Sequence, residues 1–141
     1  MERWIIFAII SMIFAGFTSV IAKFGMKGLS SDTALAIRTS VVFSIVILNA
    51  FLFQSAYKEL QQAPAQNIIF LCISGITTSL SWIFYYRAMK EGQVSYVASI
   101  DKASIVVTLL LSFLILKEPI TARLLIGAGF ILLGMFILIW K

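Results

Sequence analysis

The chain has 141 residues, 61% of them hydrophobic, a mean hydropathy of +1.04 and only 12% charged residues. A soluble domain of this length must clothe itself in charge, and the apolar fraction lies far above the globular norm of about 45–50%, which argues for an integral membrane protein. The net charge of +5 does not point to nucleic acid, because the basic residues sit mostly at the ends of apolar runs, where lipid headgroups would meet them. With no histidine and one cysteine, Cys72, neither an internal disulfide nor a zinc site is expected, and Cys72 reads as a small apolar filler. No metal or cofactor is expected.

A bilayer core about 30 Å thick needs roughly 20 apolar residues in helical form. Five segments meet that length, at about 4–24, 33–54, 67–88, 94–116 and 120–140. The expected fold class is therefore an all-α integral membrane protein, a single domain over residues 1–141 built as a bundle of five transmembrane helices. The first run, "MERWIIFAIISMIFAGFTSVIAKFG", is longer than a signal-peptide core of about 7–15 residues and lacks a small-x-small cleavage site, so it reads as a retained helix. The break "GMKGLSSD" (25–32) carries two glycines and ends in helix-capping residues. "SAYKELQQAPAQN" (55–67) is the one long polar stretch, suited to lie along the membrane surface. "KEGQ" (90–93) and "KEP" (117–119) are tight turns, with Pro119 placed to open the last helix.

Five spans put the termini on opposite sides. The side of the N-terminus carries Arg3, Lys58, Lys117 and Arg123, and the other carries Lys23, Lys27, Arg87, Lys90 and Lys141. Orientation in a membrane follows an excess of Lys and Arg in the inner loops. Here the two sides nearly balance, so a chain of this kind is suited to insert both ways up. Two copies of opposite orientation would form an inverted-repeat pair, a symmetry that many secondary transporters build within one chain.

Charged residues inside a span cost roughly 2.5–3.5 kcal/mol each at a helix centre, so they need partners or water. Lys23 ends the first span with Ser19 and Gly16 on its face, and Arg38 lies early in the second. Arg87 ends the third span, and Asp101 and Lys102 lie two turns into the fourth. All belong to the half of the bilayer opposite the N-terminus. A cluster of cations around one carboxylate would leave positive charge over, suited to an anionic or zwitterionic ligand; the alternative is an ion-pair network that only fixes helix packing. Adjacent residues diverge by about 100° around a helix, so Asp101 and Lys102 are expected to be poor partners for one another. Asp101 shares its face with Ser104, Thr108 and Ser112, while Lys102 points elsewhere and can snorkel to the headgroups.

The third span is polar and aromatic for lipid. Gly75, Ser79, Trp82 and Tyr86 share one face, and its hydroxyls are expected to bond across helices. Tyr85 and Tyr86 suit either an aromatic belt or a stacking surface for a ligand. Trp82, a turn deeper beside Ser79, is the stronger candidate to line a pathway. In the fifth span Gly127 and Gly134 lie seven residues apart on one face, a spacing that suits a dimer contact.

The segments "ALAIRTSVV" (34–42), "ISGITTSLSWIFYYRAMKEGQVS" (73–95), "IDKAS" (100–104) and "LKEPITARLLIGAGFILLGMFIL" (116–138) resemble the EamA-like family of the drug/metabolite transporter superfamily, in its short, five-span, single-repeat form. The resemblance covers nearly the whole chain and keeps the order of the motifs. It departs in three places. Ser99 stands where a proline often precedes Ile-Asp-Lys, Ser79 replaces a common glycine, and Lys117 replaces the glycine of a Gly-Glu turn. Loss of the proline removes a source of a kink beside Asp101.

The resemblance implies a half-size carrier in the cell (inner) membrane, working as a homodimer, parallel or antiparallel, on small polar or amphipathic metabolites. Larger relatives with two fused units export amino acids and other metabolites. Asp101 would be the coupling or ligand-organising carboxylate, with Arg38 and Lys23 as its cationic partners or anion contacts, Lys102 beside it, and Ser104, Thr108, Trp82, Ser79 and Tyr86 along the path. The competing expectation is a non-transporting membrane subunit that assembles with a larger partner. An enzyme is not expected, for the sequence holds no histidine, no nucleophile–base pair and no acidic cluster for a metal. The partners expected are the lipid bilayer, a second copy and a small-molecule substrate, with no nucleic acid.

Overall fold

Helices make up all the regular structure among the described residues, which in the computed structural model are 2–53 and 56–140, with the side chains of 53–58 left out. The elements in chain order are α1 (Arg3–Gly25), α2 (Ser31–Phe53), α3 (Ala56–Gln62), α4 (Ala65–Glu91), α5 (Val94–Asp101), α6 (Ser104–Leu111), a π-helical turn (Ser112–Leu116) and α7 (Ala122–Ile139). Five stretches among them are long and apolar enough to cross a membrane: Arg3–Gly25, Ser31–Leu52, Ala65–Glu91, Val94–Leu116 and Ala122–Ile139. The chain is thus an all-α, multi-pass membrane protein. Gln54, the expected end of the second span, the side chain of Lys58 and Lys141 lie outside the described residues.

The sequence sets the helix ends locally. Ser30 caps α2: its Oγ accepts from the backbone N–H of Thr33 at 3.1 Å, and Asp32 in the first turn complements the positive end of the helix dipole. The turn before it uses Gly28 at φ +76°, a left-handed conformation open to glycine without steric cost. The last helix opens later than Pro119 suggests. Ile120 precedes an extended Thr121, whose Oγ1 accepts from Leu124 N at 3.3 Å, so helix begins at Ala122. Threonine satisfies an orphan N–H there, which proline at the next turn back does not.

The fourth span is discontinuous. After Asp101 the backbone tightens into three-residue hydrogen-bonded steps, with Ala103 N–H on Ile100 O at 2.9 Å and Ile105 N–H on Lys102 O at 3.2 Å. The helix resumes at Ser104 and widens into the π-helical turn before Lys117. An interruption therefore sits beside Asp101 although Ser99 replaces the proline.

The chain divides into two compact units, one formed by Met1–Ser19 with Glu91–Lys141, the other by Val20–Lys90. Within the first, α5 packs against α7, and Ala128 of α7 is buried. Within the second, the buried apolar residues are Met26, Tyr86 and Met89, at 2%, 4% and 0% exposure. Most other large apolar side chains lie on the outside, as expected where lipid replaces water and no hydrophobic force drives them inward.

Candidate functional site

In the Val20–Lys90 unit, α2 and α4 enclose a groove of about 440 Å³. The wall from α2 is Asp32, Leu35, Ala36 and Thr39, and that from α4 includes Ser79, Trp82, Ile83 and Arg87. Both sets repeat every three or four residues, the period of one helix face. At one end the groove is ionic. Arg87 Nη2 donates to Asp32 Oδ2 at 3.2 Å and Arg87 Nε to Oδ1 at 3.3 Å, a two-pronged pair joining the first turn of α2 to the last turns of α4. Both side chains are more than half exposed, so the pair itself contributes little stability, and its charges remain open to a ligand.

Arg38 packs its guanidinium on aromatic rings of α4. Its Cζ lies 4.4 Å from the Trp82 ring centroid and 5.8 Å from that of Tyr86. The face of each ring is electron-rich and attracts the cation, most strongly where water is excluded. Nη1 of Arg38 is covered and has no hydrogen-bond partner among the described residues. The indole thus has two roles at once, supporting a cation and lining the groove.

Lys23 stands elsewhere. Its Nζ donates to Met89 O and, at 3.5 Å, to Lys90 O, the carbonyls that end α4. In the other unit Asp101 ends α5, and Lys102 Nζ lies 3.7 Å from Asp101 Oδ2. The two positions diverge around the backbone as expected, Lys102 keeping right-handed helical angles (φ −66°, ψ −16°), yet its long stem brings the ammonium back to the carboxylate. Ser104 and Thr108 follow on α6, with Thr108 Oγ1 donating to Ser104 O at 3.1 Å. Gly127 and Gly134 lie on a face of α7 roughly 100° or more from buried Ala128, and a methyl added at either would meet nothing within 4 Å. That face is open in the single chain.

Three hydroxyls of α4 bond within their own helix instead of across to another. Thr77 and Thr78 both donate to Ser74 O, at 2.9 and 2.8 Å, and Ser79 to Gly75 O at 2.8 Å. A short hydroxyl side chain in apolar surroundings finds the carbonyl of its own previous turn nearest. The structure brings together Arg38, Trp82 and Tyr86, and adds Ser79 to the groove. It also brings in Asp32, one of the capping residues before the second span, and pairs it with Arg87, a cation expected in the cluster around Asp101. The available signal was opposite charge at the ends of two spans on the same side of the membrane.

The EamA-like transporter family matches residues 2–140. A protein of Sinorhizobium sp. named as an uncharacterized transporter in the cobO 3′ region is 35% identical over 137 residues, which cover 97% of this chain and 96% of that one. No solved structure matches. Five membrane-spanning helices, the matched length and the preserved motif order agree, and the chain belongs to the EamA-like transporter family.

Proposed function

We propose that the protein is a secondary transporter, an exporter or exchanger of small polar or amphipathic metabolites, working by alternating access as a dimer of five-helix units in the cell's inner membrane. The observation that carries this reading is the groove between α2 and α4, with the Asp32–Arg87 pair at one end and Leu35, Trp82 and Ile83 along its wall. A carboxylate and a guanidinium side by side match a solute bearing both signs of charge, and the apolar wall matches its hydrocarbon portion. Arg38 braces Trp82 from behind. Asp101, at a helix interruption with Lys102 beside it, is the ligand-organising or coupling group. The near balance of charge on the two sides supports insertion in both orientations and hence an antiparallel pair.

Reconstitution into liposomes with a panel of zwitterionic, anionic and neutral metabolites tests the proposal. The expected result is movement of zwitterionic or amphipathic solutes by the wild type, abolished by Trp82→Leu and lowered at least about tenfold by Asp101→Asn, in keeping with the functional bias of ionisable groups at depth. A panel in which nothing moves, or in which both variants match the wild type, rejects it.

A further inference from the structure

The last four carbonyls of any α-helix lack partners within it, and they carry the negative end of the helix dipole. In the Val20–Lys90 unit, α1 and α4 end side by side and exchange lysines, one of which meets this need directly. Lys23, in the last turn of α1, donates to Met89 O and Lys90 O at the end of α4. Lys90, in the last turn of α4, donates to Met26 O at 3.1 Å and Leu29 O at 2.7 Å, just past the end of α1. Lys23 therefore caps α4, while Lys90 ties α4 to the turn that follows α1, where Met26 O also accepts from Leu29 N at 3.2 Å. Met26 and Met89, whose carbonyls accept from these lysines, are the most deeply buried residues described, and Tyr86 of the same unit is buried too. The Asp32–Arg87 pair ties α2 to α4 close by in sequence.

We propose that Lys23 and Lys90 form a reciprocal clasp that closes this end of the unit, and that its release is the gating step on this face of the membrane. The proposal rests on the reading of the chain as an alternating-access carrier. Its physics fits a two-state element. Four backbone carbonyls and two ammonium groups trade hydrogen bonds with one another when closed and with water when open, so the net difference is small compared with the gross interaction. Lys90 is exposed and Lys23 half-buried, so water is at hand to take over. A permanent staple would be expected to use groups shielded from water on both sides.

Cysteine labelling decides the matter. In a Cys72→Ser background, Met89→Cys and, separately, Met26→Cys are exposed to a water-soluble maleimide in detergent-solubilised protein. With both lysines present, labelling is expected to be slow. Lys23→Gln combined with Lys90→Gln is expected to speed it about tenfold, the factor given by about 1.4 kcal/mol of lost closure, and Lys23→Arg with Lys90→Arg to restore protection. Ala128→Cys, buried in the other unit, is the control for general loosening and should stay protected throughout. Equal labelling with and without the lysines at both methionine positions overturns the clasp, as does a matching rise at Ala128→Cys. No transported solute enters this measurement, so it stands apart from the fate of the metabolite panel.

Discussion

A guanidinium stacks flat on a ring, whereas an ammonium meets it as a point, and Arg38 uses that difference against Trp82. The stack holds the indole against α2 and so shapes the groove wall. Arg38→Lys is expected to keep the charge but loosen the indole, lowering transport about tenfold, as loss of a desolvated cation–π contact of 1–2 kcal/mol would. Flux assays together with tryptophan fluorescence, in a Trp4→Phe, Trp140→Phe background that leaves Trp82 as the sole emitter, would register both effects; unchanged flux with unchanged emission would count against a supporting role for Arg38. At this scale the sequence was informative where cost alone decides. Arg38 and Asp101 stand out because lipid tolerates neither without help. It was silent on who helps them. Arg38 finds aromatic faces, and Asp101 finds the adjacent Lys102 through the length of the lysine stem, a reach that helix periodicity does not weigh.

Among the elements, the fourth span shows most plainly how backbone chemistry departs from hydropathy. Its composition reads as one helix, yet it comprises α5, α6 and a π-helical turn. The turn ends at Lys117, whose φ of 54° places a branched-off side chain in the left-handed region, and both Lys117 N–H and Glu118 N–H converge on Ser112 O. The family resemblance supplies a glycine at this position, and the conformation explains why. Lys117→Gly is accordingly expected to stabilise the protein by about 1 kcal/mol, the steric strain of a left-handed residue with a Cβ, seen as a higher midpoint of thermal unfolding in detergent. A lower midpoint would mean that the Lys117 side chain makes a contact worth more than the strain. The existence of the five spans was legible because length and apolarity decide it; the short polar α3 and the helix ends were less so. Thr121 outcompetes Pro119 as the start of α7 through a single hydrogen bond that hydropathy does not weigh.

For the whole molecule, the fold class followed from composition, since a chain this oily has few alternatives to membrane-spanning helices. The groove and the lysine crossing did not, because both depend on which helices approach and at what height. Orientation is a property of the entire chain and rests on a near balance of charge. Tags placed at both termini are expected each to be labelled on a fraction of molecules by a reagent confined to one side of the membrane. Glu2→Lys with Gln61→Lys adds positive charge to one side and should convert the mixture to a single population with that side inside. Labelling of one terminus alone in the wild type would rule out insertion both ways up.

The short connection after α1 is subject to a further restriction. Lys90 meets the carbonyls of Met26 and Leu29 from a fixed position on another helix, and Gly28 turns the chain so that both are presented. One residue added between them would displace an acceptor by up to about 3.5 Å, beyond the reach of a hydrogen bond. Loop length here is as tightly specified as residue identity, so this connection should tolerate insertions far less well than the polar segment that leads into α4.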